Sequence, residues 1–357
     1  MSKAKAAALS TALLLVSTVL CLVLAEIGWR LVKGVKLGAR DNLVQQALDL
    51  VRTHTGSMVH DPLIGWRLRD DLRLAYLTTG AEGVRMNQKA AAPLRSGGIL
   101  AVGDSFTVGS GVNDDETWPA RLEALTGRPV ANAAAGAYGV DQIVLRAEQL
   151  LPVLRADTLV VGLLSQDSLR NNFSVFGGGY KPYFTIEGGK AVLQGVPVPK
   201  VEAAPLALGP VRAVLGHSHL MDSAVKALGL QQWWIDNRLR YKKIHDDKVG
   251  VAISCLLMAR LADRSKSEGL RVIVVMMYGA GEIEGTPAPW FASDVVACAR
   301  QHGLEVTDTY GPIRAVLQRD RAAFVDLWLD EGGQLGHPSA KGQQFVADLL
   351  YRNHFAR

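Results

Sequence analysis

From residue 97 onward, the chain alternates between short apolar runs and longer segments whose apolar residues recur at helical spacing. The apolar runs predict buried β-strands, at Ile99–Val102, Pro129–Asn132, Thr158–Leu164, Arg271–Met277 and, as a weaker signal, Leu304–Val306. The other segments predict helices, at Trp118–Leu125, Gln142–Leu154, Val249–Ser267, Ser293–His302 and Ser339–Tyr351. Strands that alternate with helices are typical of a parallel sheet covered on both faces. The pattern therefore predicts an α/β domain.

An uncharged stretch rich in Leu, Val and Ala runs from Ala6 to Ala25. In a helix, a stretch of this length would cross a hydrocarbon core of about 30 Å. The length favours an uncleaved signal anchor over a cleaved signal peptide, although Val23–Ala25 would tolerate cleavage. We therefore expect residues 1–30 to form a transmembrane helix.

The charges that flank this stretch give opposite signals for its orientation. Lys3 and Lys5 favour a cytoplasmic N-terminus, because positive residues tend to stay on the cytoplasmic side. Arg30, Lys33 and Lys36 lie on the other side of the stretch and oppose that orientation. The charge pattern alone leaves the orientation open.

Two regions depart from the alternating pattern. Residues 31–95 lack a clear rhythm, and we interpret them as a lead-in that packs on the main domain, residues 96–357. Within that domain, residues 173–248 form an insertion, in which Tyr180–Leu193 predicts a hairpin that turns at its Gly-Gly pair. Long insertions in α/β enzymes often build substrate walls or lids; an equally weighted alternative is that its aromatic residues form the core of a subdomain.

The composition narrows the class of protein. Of 357 residues, 48% are hydrophobic and 20% charged, which indicates a packed core rather than disorder. The net charge of +5 is modest, the basic cluster Arg238–Lys243 is typical of a solvated helix face, and nothing resembles a nucleic-acid-binding module. Cys255 and Cys298 are expected to be inert core thiols, with a single bridge between them left open. No cysteine has metal-ligand spacing, and we predict no metal site.

The candidate chemistry begins where the first predicted strand ends, at Gly103-Asp104-Ser105. A parallel sheet presents ligands at the carboxyl ends of its strands, and a serine at a strand-to-helix turn is well placed as an acyl-transfer nucleophile. Ser105 would need a general base. Of the eight histidines, His337 stands out because Gly336-His337-Pro338 opens the last predicted helix, from which it can reach a strand end.

In these blocks the sequence resembles the GDSL/SGNH hydrolases, which have a flavodoxin-like three-layer α/β/α fold. Asp61–Trp66, Gly103–Thr107 and Lys181–Phe184 are similar to segments of bacterial members that a single N-terminal helix attaches to the membrane. The resemblance implies that Ser105 is the nucleophile and His337 the base, with no metal or organic cofactor. It also implies a single-pass protein of the bacterial inner membrane with a periplasmic catalytic domain.

The same resemblance assigns the groups that would bind the oxyanion. They are the backbone N–H of Ser105, a backbone N–H at Gly136 or Ala137, and the side chain of Gln166, where the family has asparagine. Gln166 keeps the amide group but is one methylene longer. Asn171–Asn172 follow closely and are alternative donors.

A second departure from the family pattern lies before His337. Gln334 stands three residues earlier, where the family has an aspartate that orients the histidine. We take Asp330 as the first candidate for that carboxylate, with Glu331 and Asp326 as alternatives on the same segment. Without a carboxylate, a Ser–His dyad would remain active but slower.

Together these residues predict a serine ester hydrolase that acts outside the cytoplasm on an acylated glycan or lipid. An O-acyltransferase that uses the same serine is one alternative. A non-catalytic assembly protein of the cell envelope is another, which the glutamines at 166 and 334 favour.

Overall fold

The computed structural model describes residues 3–46, 56–88, 98–200, 208–235 and 241–356. The chain divides into two compact units. The anchor unit comprises Met1–Thr53 and Glu202–Arg240, and the sheet unit comprises His54–Val201 and Tyr241–Arg357. This division differs from the predicted one, because both the lead-in and the insertion are shared between the units. Of the basic cluster, residues 238–240 lie outside the described part of the chain.

In the described residues, the helices are α1 (Lys3–Val32), α2 (Ser105–Val108), α3 (Trp118–Thr126), α4 (Val140–Leu154), α5 (Asp167–Arg170), α6 (Gly209–Leu215), α7 (His219–Ala227), α8 (Gln231–Trp234), α9 (Asp247–Glu268), α10 (Ala280–Glu284), α11 (Trp290–Gln301), α12 (Tyr310–Arg319), α13 (Arg321–Val325) and α14 (Ala340–His354). The strands are β1 (Met58–Asp61), β2 (Gly65–Leu68), β3 (Ile99–Gly103), β4 (Val130–Asn132), β5 (Thr158–Leu164), β6 (Phe173–Phe176), β7 (Gly179–Tyr180), β8 (Tyr183–Glu187), β9 (Lys190–Gln194), β10 (Lys242–Lys243), β11 (Arg271–Met277), β12 (Glu305–Asp308), β13 (Trp328–Asp330) and β14 (Leu335–Pro338).

The centre of the sheet unit is a five-stranded sheet in the order β4-β3-β5-β11-β12. Every neighbouring pair is parallel, with Ile99 of β3 opposite both Val130 and Thr158, and Arg271 opposite Thr158. Numbered along the chain, these five strands follow the 2-1-3-4-5 order of flavodoxin-like folds. The predicted α/β class with a flavodoxin-like parallel sheet is confirmed, and each of its five strands was predicted from an apolar run.

Helices cover both faces of this sheet, which explains why its central strands are continuous apolar runs. All residues of β3 and β5 are buried, as expected for strands without a solvated face. Helices α4, α9 and α11 pack together on one side, and α3 packs against α14 on the other. The predicted three-layer arrangement is therefore present.

Smaller antiparallel elements accompany the central sheet. Strands β8 and β9 form the predicted hairpin, with Glu187 opposite Lys190 and the turn at Gly188 and Gly189, both at positive φ. A second hairpin, β1–β2, belongs to the predicted lead-in. Its residue Asp61 accepts hydrogen bonds from the backbone N–H groups of Leu63 and Ile64, which fixes the turn.

A disulfide joins α9 to α11. Cys255 and Cys298 are bonded, with their Cα atoms 5.4 Å apart, a separation usual for such bridges. The expectation of two inert thiols is therefore wrong. Each cysteine lies in a helical apolar pattern. That local pattern does not show that the two helices pack together and place the cysteines side by side.

The anchor unit contains the long apolar helix. Within α1, Leu9–Val32 has a mean hydropathy of 2.2 and no buried residue in its most apolar window. Among the described residues, it is the one helix long and apolar enough to cross a membrane, a property that signal sequences share. The rest of the unit has a small core of its own, formed by Val44, Val225 and Trp234.

Candidate active site

Ser105 is the first residue of α2, directly after β3. Asp104 caps this short helix, because its Oδ1 accepts a hydrogen bond of 2.9 Å from the backbone N–H of Phe106. Asp104 is buried, whereas Ser105 is only partly so. The cap thus fixes the partly exposed serine at the carboxyl end of β3.

Two glycines allow α2 to lie against the sheet. Gly103 and Gly162 face each other on β3 and β5. A Cβ atom built on either would lie 2.1 Å from Oγ1 of Thr107, far inside van der Waals contact. The glycine before the Asp-Ser pair is therefore needed for this close approach, which sets the height of Ser105 above the strands.

His337 lies on β14 and reaches the serine. Its Nε2 is 3.0 Å from Oγ of Ser105, although 232 residues separate the two in sequence. The ring also packs near Phe106, with ring centroids 5.5 Å apart. The structure thus brings together the two residues that the sequence predicted as nucleophile and base, at a distance suited to proton transfer.

The carboxylate beside His337 belongs to Glu331. Its Oε1 lies 2.6 Å from Nδ1 of His337 and 3.3 Å from the histidine's backbone N. Because a carboxylate only accepts hydrogen bonds, Nδ1 carries the proton, and Nε2 is left to accept the serine proton. Our first candidate for this carboxylate, Asp330, does not contact the imidazole ring. It accepts a hydrogen bond of 2.6 Å from the backbone N–H of Gly333 and caps the turn.

The β13–β14 hairpin explains this exchange of roles. Glu331 N–H donates to the carbonyl of Gln334, and Gly332 and Gly333 between them both have positive φ. This tight turn folds the chain back, so that a residue six positions before His337 comes to lie beside it. Gln334 is therefore a turn residue, and the carboxylate that contacts His337 comes from the other end of the turn.

Gly336 makes room for the Glu331 side chain. A Cβ atom on Gly336 would lie 2.3 Å from both Cδ and Oε2 of Glu331. The carboxylate passes over this glycine on its way to His337. A larger residue at this position would displace it.

The contact also changes the acidity of Glu331. Desolvation raises the pKa of this carboxyl, but the hydrogen bonds from the ring and backbone of His337 outweigh it, and the net pKa is lowered. The group is therefore ionised wherever an ordinary glutamate is, as stabilisation of an imidazolium requires.

The loop after β4 carries the predicted backbone donors. Ala135 N–H donates to the carbonyl of Gly103, which holds the loop against the end of β3. Gly136 adjoins Ser105, since a Cβ built on it would lie 4.0 Å from Cβ of Ser105. Ala137 has φ +66°, a left-handed conformation that is unfavourable for alanine. Backbone strain of this kind is typical of functional loops.

Trp66 of the lead-in hairpin braces this loop. Its Nε1 donates a hydrogen bond of 3.1 Å to the carbonyl of Gly136. Tyr138, which follows the loop, donates its hydroxyl to the carbonyl of Trp66. A trans peptide directs its carbonyl and N–H oppositely, so the bond to Trp66 fixes the direction of the Ala137 N–H.

The predicted side-chain donors separate into two groups. Gln166 is exposed at the carboxyl end of β5, and within the described residues its side chain has no hydrogen-bond partner. Asn171 and Asn172 are fully buried and bonded elsewhere. Asn171 Nδ2 donates to Gly250 and Ser254, and Asn172 Nδ2 to Asp247, so neither amide is available to an oxyanion.

A buried ion cluster, which no sequence motif indicates, joins Arg170 to Asp167 and to Asp104, the neighbour of Ser105. Arg170 Nη1 contacts Asp104 Oδ2 at 3.1 Å and Asp167 Oδ1 at 2.7 Å. Burial raises the pKa of Asp167 well above its ordinary value, and the nearby charge of Asp104 adds to this shift. Burial lowers the pKa of Arg170, but the two carboxylates outweigh it and raise the net value. The cluster holds the Asp104 cap in place.

Within the described part of the chain, no group of three or more His, Cys, Asp or Glu residues could hold a metal ion. The site instead offers a hydroxyl, an imidazole, a carboxylate and several N–H groups. Such a set can perform acyl transfer with its own side chains.

Comparisons with known proteins give distant structural neighbours. No family model matches the chain, and no curated protein matches it. A lipolytic protein of the G-D-S-L family from Desulfitobacterium hafniense, described as putative, is 13% identical, has a TM-score of 0.37, and aligns over 71% of this chain and 97% of its own. An esterase from Pseudoalteromonas sp. is 13% identical, with a TM-score of 0.38 and coverage of 72% and 96%.

A mutant acetylxylan esterase from Geobacillus stearothermophilus is also 13% identical, with a TM-score of 0.42 and coverage of 74% and 98%. At these scores, the neighbours establish neither the fold nor the activity of this chain. The fold class is established by the strand order and the layers of the chain itself.

Proposed function

We propose that this protein is a membrane-anchored serine ester hydrolase whose catalytic residues are Ser105, His337 and Glu331. The observation that carries the proposal is the continuous chain of contacts from Ser105 Oγ to His337 Nε2 and from Nδ1 to Glu331, at 3.0 and 2.6 Å. Each member occupies the position that acyl transfer needs. The contact chain also weighs against the alternative of a non-catalytic assembly protein.

The mechanism follows from these positions. Ser105 Oγ attacks the ester carbonyl while His337 Nε2 takes its proton, and Glu331 stabilises the imidazolium that forms. The backbone N–H of Ser105, a backbone N–H at Gly136 or Ala137, and the Gln166 amide bind the oxyanion. The imidazolium then protonates the leaving alcohol, which departs and leaves an acyl ester on Ser105. His337 then takes a proton from a water molecule that attacks the acyl ester, and it returns this proton to Ser105 Oγ as the acid leaves.

Two features support a catalytic domain on the outer side of the bacterial inner membrane. The exposed apolar part of α1 is long enough to span a membrane. The Cys255–Cys298 disulfide is typical of oxidising compartments such as the periplasm. We propose acylated glycans or lipids of the cell envelope as the substrates, because an anchored domain on that side meets such esters.

Hydrolysis of p-nitrophenyl acetate tests the proposal. We expect Ser105→Ala to abolish turnover. The matched control is Ser110→Ala, five residues further along the chain, which should retain turnover. Equal rates for wild type and Ser105→Ala would overturn the proposal. Product analysis with an added alcohol separates hydrolysis from acyl transfer, because a transferase yields the new ester in place of free acid.

A further inference from the structure

The C-terminal part of α1 holds the start of α7 through one carboxylate. Glu26 accepts hydrogen bonds from Ser218 Oγ at 2.7 Å and from the backbone N–H groups of His219 and Leu220, both at 2.9 Å. The two backbone N–H groups are donors that a helix N-terminus leaves unpaired. Glu26, a residue of another helix of the same chain, therefore caps the N-terminus of α7 and fixes α7 to the anchor helix.

Two further side chains of α1 complete this attachment. Trp29 Nε1 donates to Ser223 Oγ at 2.9 Å, and Arg30 Nη2 donates to the carbonyl of His217 at 2.7 Å. Arg30 also pairs with Glu26 at 2.6 Å. Contacts on three residues of α1 leave α7 little freedom to move away from the helix.

Helix α7 extends beside the apolar part of α1. An apolar groove between them is lined by Val19, Leu22 and Val23 of α1 and by Leu220, Met221 and Ala224 of α7. Val19 precedes Glu26 by seven residues, which places it roughly 10 Å further along the helix, towards the centre of the apolar stretch. If α1 spans a membrane, then α7 lies at the depth where polar headgroups give way to hydrocarbon.

The outer surfaces of α6 to α8 fit that depth. Val214 and Leu228 are each 71% exposed, and Trp233 is 51% exposed. Half-exposed tryptophan is characteristic of membrane interfaces, and exposed aliphatic side chains are stabilised there. Lys33 and Lys36, both exposed just after α1, can pair with lipid phosphates.

We infer that residues 208–235 form an interfacial collar, which lies in the headgroup layer of the membrane and is attached to the anchor helix by Glu26. The partner of this surface is the lipid bilayer itself, the same membrane that α1 spans in the proposed function. The inference rests on the membrane insertion of α1 in the proposed function and adds a second contact between the protein and the membrane. The collar would set the depth of the anchor and resist its rotation.

Depth-dependent fluorescence quenching tests the collar. The full chain, in a Cys21→Ser background that removes the exposed free thiol, is reconstituted into phospholipid nanodiscs. Single cysteines at Val214 or Leu228 carry a bimane probe, and the lipids carry nitroxides near the headgroup or near the chain end. Val153, an apolar residue of the sheet unit with 63% exposure, is the matched control. Leu15, in the middle of the apolar stretch, reports on the anchor itself.

We expect the probes at 214 and 228 to lose emission mainly to shallow nitroxides, the probe at 15 mainly to deep ones, and the probe at 153 to neither. A quenched probe at 15 with unquenched probes at 214 and 228 would overturn the collar and leave the anchor intact. An unquenched probe at 15 would overturn both. Energy transfer between labelled copies, without quenching by lipid, would show that a second copy covers the surface instead.

Discussion

Glu331 precedes His337 by six residues, yet its carboxylate lies 2.6 Å from the histidine's Nδ1. The turn at Gly332 and Gly333 brings the two together, and Gly336 leaves the space through which the carboxylate passes. Nδ1 is therefore protonated, and Nε2 faces Ser105 as an acceptor. This relationship decides whether the serine has a base of the correct tautomer.

Replacement of Glu331 by glutamine should reduce kcat for p-nitrophenyl acetate. The amide cannot stabilise the imidazolium and can also donate a hydrogen bond to Nδ1, which favours the wrong tautomer. Loss of this function in Ser-His-Asp enzymes costs up to about 10⁴-fold, and we expect at least about tenfold here because Glu331 is partly exposed.

The matched control for that variant is Asp330→Asn. Asp330 is the neighbouring carboxylate, but it caps the turn at Gly333 rather than the histidine. We expect a kcat close to that of wild type, with a small loss in thermal stability. A larger loss of kcat in Asp330→Asn than in Glu331→Gln would reverse the assignment of the two residues.

Gly336→Ala should reproduce much of the Glu331 defect without removing a carboxylate. The added methyl would lie 2.3 Å from Cδ of Glu331 and push the carboxylate away from Nδ1. We expect kcat to fall by about tenfold with KM nearly unchanged, because a displacement of about 1 Å in a catalytic group can cost up to about a hundredfold in rate. The same substitution in a Glu331→Gln background should add little. Additive effects of the two changes would show that Gly336 acts in another way.

Trp66→Phe should lower kcat by loosening the loop that carries Gly136. The variant keeps an aromatic ring but loses the donor to the Gly136 carbonyl. Since loss of an oxyanion donor costs about 10²–10³-fold, a misdirected one should cost about tenfold. Trp118→Phe is the control, because Trp118 is equally buried and its Nε1 has no partner among the described residues. Equal loss of kcat in both variants would show that the effect comes from lost packing and not from the lost hydrogen bond.

Asp167→Asn should change stability in a way that depends on pH. Burial and Asp104 raise the pKa of Asp167 in the folded protein. A raised pKa means that the folded state holds the proton more tightly than the unfolded chain. The stabilisation is complete below the unfolded pKa and is lost as pH rises through the folded value.

Urea unfolding at several pH values measures this dependence. We expect the free energy of unfolding lost in Asp167→Asn to be largest near about pH 4 and to shrink towards about pH 8, because asparagine has no proton to lose. Asp263→Asn, on the exposed side of α9, should show no such trend. A penalty that grows with pH would mean that Asp167 is stabilised as an anion.

The sheet could be predicted from sequence because burial on both faces leaves a direct signal in it. Strands such as Thr158–Leu164 are buried along their whole length, and helices with one buried face follow them. The anchor unit has no such signal. Its contacts, such as Glu26 with Ser218, join residues 192 apart in sequence, and a single polar residue does not reveal its partner. The sequence therefore gives no sign that residues 202–240 of the insertion belong to the same unit as α1.

The sequence could predict those residues of the site that belong to a recognisable motif. Ser105 begins helix α2, and His337 lies three residues before helix α14. The local sequence indicates both helix starts. The orienting carboxylate depends on the path of a two-glycine turn, and Asp330 and Glu331 differ by one position along it. Asp330 ends β13 and Glu331 begins the turn, and the sequence pattern does not show where the strand stops. The Arg170 cluster joins helix α5 to Asp104, 66 residues away in sequence, and no motif indicates it.

The central claim is that Ser105 is a nucleophile activated by His337. It is tested most directly by labelling the full-length protein with a fluorophosphonate and mapping the adduct by mass spectrometry, which requires no assumed substrate. We predict a single adduct on Ser105, formed at least about a hundredfold more slowly in His337→Ala, because general-base catalysis contributes about 10²–10⁴-fold. An adduct on a different residue, or labelling of Ser105 at the same rate in His337→Ala, would contradict the claim.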